Sequence, residues 1–392
     1  MSDGYDAIVI GGGIMGTSVA YQLAERGRRV VLLERRSIGE GPTGDSSAIL
    51  RTHYSHELTT RMARFGLDFY RDFRQHTGDE CGFHQPGFLL LAPASERDGV
   101  ERNCALQRRL GIASEVLEAA AIRERMPGLS VDDDVIAAWE PASGYADPYL
   151  AVTGLARAAR ERGVLVLQET AVTGIRFDAA GRVAGVDTSR GPFAAPWVVH
   201  ATGAWAGRTA RLAGVDAPIA ACRIQVAVYR RPPGGPAEHP IVADFRTACY
   251  FRPELGEKTL AGLIDPAEAD AVVDPDDYAK KPDFAFYAEI GEKLTRTYPA
   301  MAAGESAGGY ASLYAITPDW HPIVDQAPAG SGHILCSGFS GHGFKLAPAV
   351  GVMVADLITG AAEPRFDPAM FRLDRWADQQ AVGGSYRFSI VG

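Results

Sequence analysis

The chain has 392 residues, 46% of them hydrophobic and 22% charged, enough for two domains or for one large α/β unit with an insertion. A formal net charge of -9 and a pI of about 5.5 leave no basic footprint for nucleic acid or an anionic membrane. Five scattered cysteines with no CxxC pair disfavour structural zinc and suit a reducing compartment, and no apolar run approaches the about 18 residues of a membrane span. The early run YDAIVIGGGIMG lacks a basic leader and a cleavage site, so it does not read as a signal peptide and a cytoplasmic protein is expected.

The first element is AIVI (7–10), a short apolar run of the kind that forms a buried parallel strand. It leads into Gly11-x-Gly13-x-x-Gly16 and then a segment where Ile14, Val19, Ala20, Leu23 and Ala24 recur at helical spacing, with Gly27 as a stop. RRVVLLE is the next strand and ends on Glu34, 18 residues beyond Gly16, with Arg35 following. The first glycine permits the tight turn, the second lets backbone approach a pyrophosphate, and the third lets helix and strand pack closely. The diphosphate then sits at the helix start, beside Ile14 and Met15, and Glu34 can accept hydrogen bonds from a ribose. An acid at this place disfavours a 2′-phosphate, so FAD or NAD fits better than NADP.

Next comes a glycine-, serine- and threonine-rich loop, GEGPTGDSSAILRTHYSHE (39–57), too polar for an ordinary crossover, and then a helical segment from LTTRM. GFHQPGFLLLA and CRIQVAVYRRPP read as strands of a separate sheet, with a turn or loop over Pro232, Pro233, Gly234, Gly235 and Pro236. The stretch 164–205 reads as several strands with turns at Asp178–Gly181 and Ser189–Gly191, ending in WVVHATGAW. Far downstream, HILCSGFSGHGFKLAPAV repeats the order of strand, glycine loop and helix. An NAD-linked dehydrogenase normally completes its nucleotide sheet in one block, so this spread makes that reading the weaker one.

The blocks GGGIMG…LLE, GPTGDSSAILRTHY, SGYADPYLAVTGLARAAR, VVHATGAW and GFSGHGFK, in this order, resemble the FAD-dependent oxidoreductases of the D-amino-acid oxidase superfamily. They are most similar to its sarcosine oxidase and glycine oxidase group, and the likeness runs from Tyr5 to about Leu373. The resemblance implies an α/β fold with a discontinuous Rossmann-like FAD-binding domain over 1–80, 145–215 and 305–375. A second, α+β substrate domain built on an antiparallel sheet is expected over 81–144 and 216–304, with a tail at 376–392 that either covers the active site or is loose. It further implies that Gly44, Ser46 and Ser47 give donors to the diphosphate and that Val172 meets the adenine through its backbone. Ala201, Gly203 and Trp205 would lie along the cofactor. Gly338, Ser340, Gly341, His342, Gly343, Phe344 and Lys345 would pass beneath the flavin ring, with a helix N-terminus aimed at the edge that becomes negative on reduction.

The chemistry implied is oxidation of an amino acid, a secondary amine of the sarcosine type above all, by hydride transfer to flavin N5, giving an imine that hydrolyses. No metal and no strong base are required if the amine is bound neutral. Arg51 and Lys345 match the family's carboxylate clamp, although Arg51 could instead pair with Asp45 or Glu57. Tyr314 and Tyr250 match positions beside the substrate, or are packed aromatics. His53 and Tyr54 are near Arg51 in sequence, while Asp319 and His321 read as turn residues.

Two positions depart from the family pattern. Ser312 stands where some sarcosine oxidases tether FAD through a cysteine, so the FAD is expected to be non-covalent. Leu260 or Ala261 stands at the place of an oxygen-activating lysine, with Lys258 two residues off. The electron acceptor is therefore oxygen or another partner, and a dehydrogenase or a flavin subunit of a hetero-oligomer is the alternative to an oxidase acting as a monomer or homo-oligomer.

Overall fold

Strand Ala7–Ile10 is wholly buried at the centre of a six-stranded sheet, flanked in parallel by Val30–Leu33 and Val198–His200. The structure is a computed structural model, and it describes residues 4–233, 238–384 and 386. Beyond these neighbours the sheet adds Leu165–Leu167 on one side and His333–Ser337 on the other, with Ile323–Gln326 running antiparallel at the edge. Its strands come from distant parts of the chain, and their continuous apolar runs are those of a sheet covered on both faces.

Helix Ile14–Glu25 follows the first strand, and Gly27 beyond it has φ +70°, the left-handed stop that glycine adopts without strain. A Cβ at Gly16 would lie 1.9 Å from the Gly11 carbonyl oxygen, so helix and turn meet at a distance only glycine allows. The helix packs on the long helix Gly343–Thr359, where Ser18 Oγ donates to the Ala347 carbonyl at 2.7 Å. Helix Glu57–Arg71 crosses the same partner just as closely. A Cβ at Gly66 would stand 1.9 Å from the Lys345 carbonyl oxygen, and the Tyr70 hydroxyl donates to the Phe344 carbonyl at 2.8 Å. The first turn of the long helix is thus fixed from two sides.

The second sheet has eight strands in the order Glu305–Ile316, Ala220–Arg230, Lys258–Leu263, Cys249–Glu254, Ile241–Asp244, Phe88–Pro93, Val135–Glu140 and Glu115–Glu118. It is antiparallel except where Ile241–Asp244 lies parallel to Phe88–Pro93. Period-two alternation sends Leu89 and Leu91 to one face, against helix Phe284–Thr297, and Phe88 and Leu90 to the other, with Tyr250 and Leu260. That second face roofs the nucleotide sheet. Strand Glu305–Ile316 was expected with the nucleotide-binding segment that begins at 305, but it pairs along its length with Ala220–Arg230 and so belongs to the roof. The change of sheet comes after Ile316.

Of the turn expected over Pro232 to Pro236, Gly234, Gly235 and Pro236 lie outside the described residues, as do 385 and 387–392 of the tail. Among the described residues no helix is long and apolar enough to cross a membrane, and the five cysteines are free and buried.

Candidate active site

Between the two sheets lies a cavity of about 560 Å³, within the range of small-molecule sites. Its nucleotide end is built from the opening turn. A Cβ at Gly11 would stand 2.3 Å from the Ala201 carbonyl oxygen, and one at Gly13 would stand 3.0 Å from Thr43 Oγ1, so bare backbone faces the space. The Ile14 N–H donates to Thr43 Oγ1 at 3.1 Å. Glu34 lines the same end, and its carboxylate accepts from the Gly12 N–H at 2.6 Å and the Arg36 N–H at 2.7 Å. It therefore holds the glycine turn in place, and each oxygen keeps a lone pair for a ribose hydroxyl.

Of the residues expected at the cofactor, Gly11, Gly13, Ile14, Met15, Glu34 and Arg35 line the cavity. Ser46, Ser47, Val172, Ala201, Gly203 and Trp205 line it as well. From the late glycine loop, Gly338, Ser340, Gly341, Gly343 and Phe344 reach it. Gly16, Gly44, His342 and Lys345 are not on its wall: Gly16 packs under Gly11 and Gly44 against Gly39, which are framework contacts. His342 turns away from the cavity, and its Nδ1 shares a 2.9 Å hydrogen bond with the Tyr54 hydroxyl.

The late loop has the geometry its glycines suggest. Gly338 and Gly341 have φ +78° and +84°, and Ser340 has φ +46°, held by its N–H on the Ala315 carbonyl at 2.9 Å. The ring of Tyr314 lies over Gly341, where a Cβ would come within 2.8 Å of it, and the ring of Tyr250 covers Gly262 in the same manner at 2.7 Å. Both tyrosines line the cavity, which brings the two aromatic candidates to one wall.

Arg51 and Lys345 come together behind this wall. Arg51 is 5% exposed and Lys345 6%, and the Arg51 guanidinium lies 4.5 Å from the centre of the Tyr54 ring and donates to the His53 carbonyl. Burial, and then the nearby Arg51 charge, hold the Lys345 ammonium well below the usual lysine range. Among the described residues that ammonium has no hydrogen-bond or ion-pair partner. Asp45 accepts from Ser312 Oγ at 2.9 Å, and Glu57 faces Arg61 at 3.9 Å.

The surrounding histidines carry little charge. Burial pushes His53 down to about 4 against the pull of Glu140, whose carboxylate is 3.7 Å from His53 Nδ1. Burial also pushes His321 down to about 4 and His342 well below its ordinary value, and it raises the Tyr54 hydroxyl to about 12. The positive charge of the empty pocket is thus carried by Arg51, and Lys345, pushed toward its neutral form by burial and by Arg51, takes up its proton most readily beside a bound anion. Among the described residues no cluster of side chains suits a metal ion.

Some of the site had no signal in the sequence. Asp319, read as a turn residue, forms a buried ion pair with Arg375 at 2.8 Å, which fastens the start of the tail. Tyr386 then stacks on His53 and shares a 2.8 Å hydrogen bond with its Nε2, which sets this tail residue against His53, two positions in sequence from Arg51. Tyr278 and Lys280, from a loop that no motif marks, also line the cavity.

The family described as DAO, FAD dependent oxidoreductase, matches residues 6–357, and the chain belongs to it. It is an FAD-dependent oxidoreductase. Its sequence is 26% identical to the glycine oxidase of Geobacillus kaustophilus over 96% of this chain and 98% of that one. It is 28% identical to sarcosine oxidase subunit beta of Rhizobium meliloti, over 95% of this chain and 88% of that protein. Human mitochondrial sarcosine dehydrogenase is 30% identical over 90% of this chain, which spans 39% of that longer protein. Among solved structures, L-proline dehydrogenase from P. horikoshii superposes with a TM-score of 0.88 at 28% identity, covering 97% of this chain and 100% of that one.

FAD fits the cavity through the bare-backbone turn, the lone pairs left on Glu34 and the late loop. Ser312, which lines the cavity at the tether position, is a hydroxyl bonded to Asp45, and the described cysteine on the wall is Cys336, buried in a strand. Acid precipitation is expected to leave the yellow chromophore in the supernatant; a yellow pellet would show a covalent link.

Proposed function

We propose that the enzyme oxidises the C–N bond of an amino acid, a secondary amine of the sarcosine or proline kind, whose carboxylate is held between Arg51 and Lys345. The observation that carries this reading is the meeting of two buried basic side chains, Arg51 and Lys345, with Lys345 two residues beyond the loop Gly338–Gly343 that lines the cavity. Bound FAD would supply the two-electron oxidation of a C–H bond at a carbon bonded to the amine nitrogen. The chain's own residues then orient and desolvate. Arg51 offers a planar fork to one carboxylate face and Lys345 a point charge beside it, while Tyr250 and Tyr314 wall the amine end. Helix Gly343–Thr359 begins at the cavity, with Gly343 and Phe344 on its wall, so its N-terminal end favours negative charge there. With His53 and His342 held neutral by burial, the residues support a substrate bound as the free amine.

A second reading concerns the acceptor. Leu260, buried on the roof face with Tyr250, or its neighbour Ala261 stands at the place expected for an oxygen-activating lysine, which supports a dehydrogenase passing electrons to another partner. The resemblance to a sarcosine oxidase beta subunit supports asking whether that partner is a second chain. A cytoplasmic location is supported by five reduced, buried cysteines.

The test is anaerobic mixing of the holoenzyme with N-methyl, N-carboxymethyl, cyclic and D-amino acids while the flavin band near about 450 nm is followed. Bleaching by one class of amino acid and not by the corresponding amines is expected. A panel in which simple amines bleach as well as acids contradicts the clamp.

A further inference from the structure

The loop between residues 271 and 283 belongs to the roof, yet it reaches across to the nucleotide-binding side. Its two ends are rooted on strand Ala220–Arg230. The Arg223 N–H donates to the Ala271 carbonyl and the Val273 N–H to the Ala221 carbonyl, both at 2.9 Å. The Arg223 guanidinium binds the Ala279 carbonyl at 2.9 Å, the Lys281 carbonyl at 2.7 Å and the Asp283 carboxylate at 2.7 Å.

Between these roots, Asp276 makes the crossing. Its Oδ1 accepts from Trp205 Nε1 at 2.9 Å and from Arg35 Nη2 at 2.9 Å, and its Oδ2 accepts from Arg208 Nη1 at 3.0 Å. Arg208 also binds Asp274 at 2.8 Å, and the Asp276 N–H donates to that same carboxylate at 2.9 Å. Arg35 in turn lies 4.2 Å above the Trp205 ring. Arg35 and Trp205 both line the FAD cavity at the end marked by Glu34, and Tyr278 and Lys280, from the crossing loop, line it too.

We propose that Asp276 is a cofactor-retaining residue, which fastens the 271–283 loop across the adenosine end of the FAD cavity and must let go before FAD can leave. The physical case is one of number and position. A single exposed ion pair contributes little, and these side chains are 37–53% exposed. Here, however, one carboxylate joins three donors from two segments of the nucleotide-binding side to a loop rooted in the roof. Releasing the loop requires these three contacts and the Arg208–Asp274 pair to break together. Because the contacts are reached by solvent, salt weakens them, as it would not weaken apolar packing. In a protein with a hydroxyl at the tether position, retention of the flavin falls to contacts of this kind.

The inference depends on FAD binding alone and not on the carboxylate clamp, so the two fail separately. The experiment dilutes FAD-loaded wild type, Asp276→Asn, Asp276→Glu and Arg208→Gln, and follows released FAD by its fluorescence from low to high sodium chloride. Wild type is expected to release FAD faster as salt rises. Asp276→Asn should release it about tenfold faster at low salt, a size set by removing the negative charge that three screened contacts share, and should lose most of the salt dependence. Arg208→Gln should shift in the same direction by less, and Asp276→Glu should keep the wild-type salt slope. Release from Asp276→Asn at the wild-type rate overturns the proposal. So does faster release with the salt slope unchanged, because the residue would then act only through packing.

Discussion

Lys345→Met is expected to raise the amino-acid concentration needed for half-maximal flavin reduction by about ten- to a hundredfold. The size follows from losing a charge-assisted hydrogen bond in a desolvated site, roughly 1.5–3 kcal/mol. Lys345 is 6% exposed and shares its surroundings with Arg51, so little water is available to screen the bond. The corresponding amine without a carboxylate should bind wild type poorly and lose little more in the variant. A pH dependence follows from the same geometry. In the free site, burial and Arg51 push the lysine toward its neutral form, whereas a bound carboxylate favours the ammonium, so binding takes up a proton. The affinity advantage of wild type over Lys345→Met should therefore be greatest at low pH and shrink as pH rises through the free-site pKa of Lys345, on top of the deprotonation of the substrate amine that both proteins share. Stopped-flow reduction of both proteins by acid and amine gives the four numbers; equal losses for acid and amine would remove Lys345 from the carboxylate site.

Reduced enzyme should react with air about 10²–10³ times more slowly than a flavin oxidase that carries a preorganised cation at this place. Such a charge beside a developing anion is worth that much when it is fixed in a low-dielectric site. Leu260 shares the buried roof face with Tyr250, and Ala261 points to the opposite face, into the packing against helix Phe284–Thr297. Lys258, two residues before Leu260, lies outside the cavity wall at the end of its strand, paired in register with Arg230 and Glu254. Lys258→Met should accordingly leave the oxygen rate unchanged. The lysine on the described wall is Lys280, whose ammonium rests 3.7 Å from the Tyr278 ring, near Asp45. Rapid reoxidation in air that Lys280→Met abolishes would make this an oxidase with its cation supplied from an unexpected loop.

How much of this could be read from the chain depended on whether the signal was local. The opening turn was legible because Gly11, Gly13 and Gly16 answer to contacts within one strand, one turn and one helix. The late loop was legible for the same reason, its glycines taking positive φ where a helix begins. That residues 305–316, expected within the FAD-binding segment 305–375, form a strand paired with Ala220–Arg230 was not legible, because the partner lies far back in sequence and period-two alternation reports a face without naming a neighbour. Asp276 and Lys280 gave no warning, since an exposed polar loop reads alike whether it faces solvent or a cofactor. Arg375 was missed because a buried arginine is visible only through its partner, and Asp319 is 56 residues away.

The central claim is that this enzyme takes hydride equivalents from a carbon bonded to the amine nitrogen of an amino acid held by its carboxylate. It is tested most directly by anaerobic stopped-flow reduction with the best amino acid of the panel, unlabelled and deuterated at the carbons bonded to its amine nitrogen. The account predicts complete bleaching of the flavin band by both, distinctly slower with deuterium, at saturating substrate. Bleaching at the same rate for the two isotopologues, or no bleaching by any amino acid while the holoenzyme is folded and yellow, would contradict it.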